Sequence, residues 1–240
     1  MPSQSNAFVI PEGIQLELTE AGLSIEHDGD IIIDGELNVG IERILSRNGD
    51  VHVGRSMQLA EIHAENGAVQ IEGDLRIGKL LARRVETAGN LEADTLSITG
   101  GDLNVVGDLL TGELAVKGGI RVGGRTEAAN VSTESDASFG SGLECSRLSV
   151  AGSLLLGGPT TAKVILVNGK DLVAKQSVEA VDVIAEETII KLEGDAQIQL
   201  LRGREITIRG NENKIKALQA QQRVSISEGM IMSDVLLAPN

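Results

Sequence analysis

Aspartate follows glycine at six places in this 240-residue chain, and these carboxylates are its most regularly placed groups with potential chemistry. The pairs are Gly29-Asp30, Gly49-Asp50, Gly73-Asp74, Gly101-Asp102, Gly107-Asp108 and Gly194-Asp195. Stacked carboxylates could bind calcium, but the calcium-binding nonapeptide needs a tandem Gly-Gly-x-Gly-x-Asp pattern, which does not occur here. Since Gly and Asp also accept turn dihedrals and bind local backbone groups, the pattern favours turns and predicts no metal site.

Other residues that support catalysis or ligand binding are few and scattered. The histidines are His27, His52 and His63, too far apart in sequence to indicate a metal or acid–base cluster. Cys145 is the only cysteine, which rules out an internal disulfide or a cysteine metal cluster, and we expect it to be a buried small residue. No Gly-x-Ser-x-Gly elbow, phosphate loop or dinucleotide fingerprint occurs. The sequence predicts no catalytic, cofactor or metal residues, and hence no enzyme.

Two short basic runs stand out against an acidic background. They are Arg83-Arg84 and Arg202-Gly203-Arg204, while the whole chain carries a formal charge of −14 and a sequence pI of about 4.7. Nucleic-acid phosphates require a basic surface, so we expect no nucleic-acid binding, and attraction to an anionic membrane is unfavourable for the same reason. The arginines indicate ordinary surface charge or, alternatively, contacts with an acidic patch on a neighbouring copy.

The low aromatic content restricts both the packing of the core and the classes of ligand that the protein is expected to bind. Phe8 and Phe139 are the only aromatic residues, so a core of Val, Ile, Leu and Ala must have a narrow, uniform cross-section. The same scarcity disfavours carbohydrate binding, which uses aromatic stacking. We expect no cofactor and no small-molecule substrate. The N-terminus lacks the pattern of a secretory signal, and no apolar run reaches the roughly 20 residues of a membrane helix, which favours a cytoplasmic location.

A repeat of about 18 residues organises the chain. Between Gly49 and Gly169, seven segments each begin with a turn phrase and continue with alternating aliphatic residues, as in Gly101-Asp102-Leu103-Asn104-Val105. Alternation of this kind predicts short, half-buried strands, and a fixed period predicts a solenoid in which neighbouring coils share one core. Three apolar bursts per segment predict three short faces. The fold prediction is an all-β parallel β-helix (β-solenoid), with roughly thirteen coils in a rod about 60 Å long.

The repeat also divides the chain. We expect an N-terminal cap over residues 1–28, a regular solenoid over 29–169, and either irregular coils or a C-terminal cap over 170–240. Residues 213–222 have a composition that suits a helix, but they parallel the earlier coil at Ile62–Ile71, and we interpret them as a further coil.

Several of these phrases resemble the bactofilins, a family of polymer-forming bacterial cytoskeletal proteins. The resemblance covers about residues 29–158 and is carried by Gly29–Gly40, Gly73–Ile77, Leu91–Ile98 and Gly107–Leu114. It implies a right-handed β-helix that stacks end to end into nucleotide-free filaments or a scaffold. The chain is longer than a usual bactofilin core, and residues 160–240 have no clear counterpart.

The residues at the two ends are the candidates for self-contact, and the sequence is compatible with three classes of function to different degrees. The end-to-end contact is expected to involve Phe8, Val9, Ile10, Met230, Met232, Val235 and Leu236. The leading function is a structural protein that self-assembles into filaments, with itself as partner. The alternative is a non-polymerising solenoid that binds another protein or serves as an accessory subunit. An enzyme is disfavoured because no histidine lies in a suitable context and aromatic residues are scarce.

Overall fold

The computed structural model describes residues 13–34, 40–226 and 230–237, with side-chain environments up to residue 226. These residues form 21 β-strands. The strands are β1 Gln15–Leu18, β2 Leu23–His27, β3 Ile31–Ile33, β4 Ile41–Ser46, β5 Val51–Val53, β6 Met57–Ile71, β7 Leu75–Thr87, β8 Leu91–Ile98, β9 Leu103–Val105, β10 Leu109–Val116, β11 Ile120–Val122, β12 Arg125–Thr133, β13 Ala137–Phe139, β14 Gly142–Val150, β15 Leu154–Leu156, β16 Thr160–Val167, β17 Asp171–Ala174, β18 Val178–Leu192, β19 Ala196–Ile208, β20 Asn213–Ile226 and β21 Met230–Leu237. In this part of the chain there is no helix long and apolar enough to cross a membrane.

The strands stack as parallel coils of about 18 residues in about 11 turns, which confirms the prediction of a β-solenoid. Each coil pairs with the coil before it and the coil after it: β10, for example, pairs in parallel with β8 on one side and β12 on the other. At about 4.8 Å per coil the rod is about 50 Å long, shorter than expected because there are fewer turns.

Each regular coil has three faces, which we number in chain order. In the coil that begins at Leu91, face 1 contains Leu91–Ala93, face 2 contains Leu96–Ile98 and face 3 contains Leu103–Val105. On every face the first and third residues point inward and the second points outward, so each coil contributes six inward side chains to one continuous core. The alternation follows from the period-2 geometry of a strand, and it places any chemistry in the outward columns.

The core shows an exchange of side-chain size between faces 1 and 2. The second inward residue of face 1 and that of face 2, five positions later, differ in size in most coils, although Ala180 and Ala185 are both small. Along the rod the pairs are Leu59/Ala64, Ile77/Ala82, Ala93/Ile98, Thr111/Val116, Ala128/Thr133, Cys145/Val150, Ala162/Val167, Ala180/Ala185, Ile198/Gly203 and Ile215/Ala220. The bulk therefore lies on face 1 at both ends of the rod and on face 2 in its middle. Because interiors are close-packed, a small residue on one face is compensated by a large one on the next.

This size exchange predicts a measurable coupling. Ala162→Val should overpack the core and Val167→Ala should leave a cavity, and each should lower the free energy of unfolding by about 1–3 kcal/mol. The double variant transposes the pair and should lose at least about 1 kcal/mol less than the sum of the two. Urea denaturation of the four proteins measures the coupling. Strict additivity would show that the two positions do not share core volume.

The region after residue 170 continues the same ladder. β18 pairs with β19 and β19 with β20, with register shifts near Ala185 and Gly203. Residues 213–222 lie within strand β20, which confirms their interpretation as a further coil. At the N-terminal side, β2 pairs in parallel with β4, and β1 lies antiparallel against the other edge of β2. Residues 1–12 lie outside the described residues.

Candidate functional site

The six aspartates of the Gly-Asp pairs lie at the corners of the coils, and each accepts a hydrogen bond from a backbone N–H of the next coil. Asp30, Asp50 and Asp102 do so between faces 2 and 3. The others, Asp74, Asp108 and Asp195, do so between face 3 and the following face 1. The carboxylates therefore act as hydrogen-bond acceptors that link the backbones of neighbouring coils.

The longest series of these corner bonds is continuous over four steps. Ser56 Oγ accepts the N–H of Asp74 at 2.9 Å, and Asp74 Oδ1 accepts that of Asn90 at 2.7 Å. Asn90 Oδ1 accepts the N–H of Asp108 and Asp108 Oδ1 that of Arg125, both at 2.8 Å. Ser, Asp and Asn thus perform the same function at one corner. Within the described residues, no group of three or more His, Cys, Asp or Glu side chains could hold a metal ion.

The three histidines lie apart from one another. Nε2 of His52, on face 3, lies 3.6 Å from Oε1 of Glu72. Nε2 of His63, on face 2, lies 3.7 Å from Oε2 of Glu65. Nδ1 of His27 is buried without a hydrogen-bond partner among the described residues. The structure therefore assembles no acid–base cluster from them.

The two basic runs are also dispersed. Arg84 forms an ion pair with Glu86 two residues later on face 3, and Arg202 approaches Glu186 at 3.8 Å. The Nε of Arg204 is buried without a hydrogen-bond partner in the described part of the chain. These arginines do not form a single patch that could contact a phosphate.

Cys145 is buried at the second inward position of face 1, between Ala128 and Ala162 of the neighbouring coils. Burial raises the pKa of its thiol from 9.0 to about 11. Since the thiolate is the reactive form, this environment suppresses nucleophilic chemistry.

Cys145 should therefore resist alkylation in the folded protein. At pH 8, a pKa of about 11 leaves about one thiol in a thousand ionised. Iodoacetamide should label the native protein at least about 100-fold more slowly than the protein in urea. A variant with Cys145→Ser and the exposed neighbour Ser146→Cys is the matched control and should react rapidly without denaturant. Comparable rates for native and denatured Cys145 would contradict the assignment.

Face 1 carries an open groove of about 910 Å³ on its outer surface. The groove extends over seven coils and lies between two columns of outward residues. The first column is in register from coil to coil and consists of Leu110, Glu127, Glu144, Thr161, Glu179, Gln197 and Lys214. The second column consists of Gly112, Ala129, Ser146, Lys163, Val181, Gln199 and Lys216. The second inward residue of face 1 lies between the two columns, and it is small in five of the seven coils, from Thr111 to Ala180. These small residues form the floor of the groove in those five coils, and Ile198 and Ile215 form it in the last two.

The sequence pattern does not reveal the groove. Periodicity separates apolar from polar positions, and alanine, cysteine and isoleucine all count as apolar, so periodicity alone does not distinguish the run of small inward residues. The signal is nonetheless present in the chain, as the five-residue spacing of large and small core residues described above.

The predicted end-contact residues are placed as follows. Phe8, Val9 and Ile10 lie outside the described residues. The backbone positions of Met230, Met232, Val235 and Leu236 lie in β21, where they pair in parallel with β20.

Comparison of the chain with protein-family models, curated proteins and solved structures finds no match.

Proposed function

We propose that this chain is a non-enzymatic structural protein whose rods join end to end into filaments, as the resemblance of residues 29–158 to the bactofilins implies. The observation that carries the proposal is the edge of β21. Among the described residues, β21 pairs with β20 and with no other strand. A strand edge presents a row of backbone N–H and C=O groups that another chain can pair with.

The N-terminal side of the rod offers a second edge of this kind. In the described part of the chain β3 pairs with β5 alone, and Ile32 in its outward position is 62% exposed. On face 2 the N-terminal edge differs from that of face 3, because the strand β1 pairs with β2 there in the antiparallel direction. The net charge of −14 supports assembly through such ends, because like-charged sides repel one another and oppose lateral aggregation.

Electron microscopy and sedimentation of the purified chain over a range of concentrations test this function. We expect filaments whose length grows with concentration. Rods that stay monodisperse at the highest concentration would contradict assembly.

A matched pair of fusions tests the role of the β21 edge. A compact folded domain fused after Asn240 should limit assemblies to at most two rods, because it covers that edge. The same domain inserted between Gly100 and Gly101, in a turn on the side of the rod, should leave filaments intact. Unchanged filaments from the C-terminal fusion would show that β21 takes no part in assembly.

The second candidate function is a rod that does not polymerise and binds another protein. The groove on face 1 favours it, since a concave surface with fixed charges suits an elongated partner. A monodisperse rod that binds a partner through face 1 would support this candidate over the first.

A further inference from the structure

The dimensions of the face 1 groove match an extended segment of polypeptide. Its seven coils are separated by six steps of about 4.8 Å, which gives a length of about 29 Å. An extended chain advances about 3.3 Å per residue, so about nine residues would occupy the groove. A volume of about 910 Å³ is at the upper end of the range of ligand-binding sites.

The charges in the groove are unevenly distributed along the rod. Glu127, Glu144 and Glu179 lie in the first column, and Lys163 lies in the second column between the coils of Glu144 and Glu179. Lys214 and Lys216 follow at the C-terminal end, in one coil. The groove therefore has three carboxylates and one lysine over its middle coils and two lysines at its C-terminal end.

Most of these charges have no partner within the described chain. Elsewhere on face 1, Arg76 pairs with Glu92 at 3.2 Å, and Glu144 in the groove pairs with Arg125 at 2.8 Å. Glu127 and Glu179 form no ion pair with a described residue, and the same holds for the lysines at the basic end of the groove. Unpaired charges in a fixed order are available to a ligand with the complementary order.

The remaining lining residues narrow the chemistry of the ligand. Leu110 and Val181 line the groove with side chains 45% and 40% exposed, which provides apolar contact at two separated points. Among the described residues, no aromatic side chain on which a sugar or a base could stack lines the groove. The acidic stretch disfavours nucleic acid.

We propose that the face 1 groove binds an extended peptide segment of a partner protein, with basic side chains over the unpaired Glu127 and Glu179 and an acidic group over Lys214 and Lys216. This inference is independent of filament formation, because the groove lies on the side of the rod and the β21 edge at its end.

Fluorescence anisotropy with a labelled peptide of about nine residues tests the proposal. The probe carries lysines in its first half, glutamates at its C-terminal end and alanine and leucine between them. A peptide of the same composition with alternating charges is the control. We expect the segregated peptide to bind at least about five-fold more tightly, with weaker binding at high salt.

Matched protein variants locate the binding. Glu127→Gln combined with Glu179→Gln should raise the Kd of the segregated peptide by about three- to ten-fold. The control variant combines Glu134→Gln with Glu187→Gln, two exposed glutamates at the corner between faces 2 and 3 that have the same effect on net charge. It should leave the Kd within about two-fold.

Three results would overturn the proposal. The first is equal affinity for the segregated and alternating peptides, and the second is an equal effect of the groove and control variants. The third is self-association that the groove variant alone abolishes while no peptide binds, since the groove would then be a contact between copies of this chain. Electron microscopy of the same variants separates this result from a failure of end-to-end assembly.

Discussion

Replacing Phe139 with alanine is expected to lower the free energy of unfolding by about 3–5 kcal/mol. Phe139 is 1% exposed and is the third residue of face 3 in its coil. The inward residues of the same coil include Ala128 and Ala137, so the ring supplies volume that its neighbours lack. With the ring removed, three small residues would share one layer of the core, and a rigid stack of coils can collapse only partly around the cavity.

Thermal unfolding followed by circular dichroism measures this effect, with an expected fall in Tm of roughly 10 °C for a chain of this size. Leu155→Ala is the matched control, because Leu155 lies on the same face in the next coil but points outward and is 36% exposed. The control should change stability by about 0.5 kcal/mol. Equal losses for the two variants would mean that the core tolerates a cavity at Phe139.

Replacing Gly67 with alanine is expected to cost about 3 kcal/mol, at the upper end for overpacking of an interior. Gly67 lies in β6 at the corner between faces 2 and 3. A Cβ atom there would lie 1.8 Å from the carbonyl oxygen of Gly49 and 2.6 Å from its carbonyl carbon. Both atoms belong to the backbone of the neighbouring coil, so the clash cannot be relieved by rotation of a side chain.

Gly40→Ala is the control for Gly67, since a Cβ atom at Gly40 meets no atom of the described residues within 4 Å. It should be neutral or slightly stabilising, because alanine restricts the unfolded chain more than glycine. Urea denaturation of both variants provides the comparison. In a solenoid each coil contacts only its neighbours, so amide exchange in Gly67→Ala should accelerate most in the coils on either side. A stable Gly67→Ala variant would show that the two coils can separate at this corner.

The fold could be predicted from the sequence because its determinants recur. The period of about 18 residues and the alternation of residues such as Leu103 and Val105 specify strands, faces and stacking together. The role of the corner aspartates follows only partly from the sequence. Local turn rules predict that Asp74 binds its own turn, whereas its carboxylate accepts a hydrogen bond from the backbone N–H of Asn90 in the next coil, 16 residues later. Local turn rules do not include a contact that depends on the stacking of coils.

The groove could not be predicted in the same way. Its charged column is spread over residues 17–18 positions apart, so Glu127 and Glu144 become neighbours, and Lys214 joins the same column, only when the register of the coils is known. Its floor contains small residues such as Ala128 and Ala162, and hydrophobic periodicity does not distinguish alanine from isoleucine.

The exchange of side-chain size between faces 1 and 2 suits a rod in which buried side chains, which a partner does not contact, influence the shape of the outer surface. Transposing an interior pair such as Ile77 and Ala82 would change side-chain volume behind face 1 in one coil and leave every surface charge in place. Conversely, surface substitutions can alter the charge order without changing the shape. The shape and the charge of the face 1 surface are therefore encoded in separate residues. Substitutions can change one of these two properties while the other is retained.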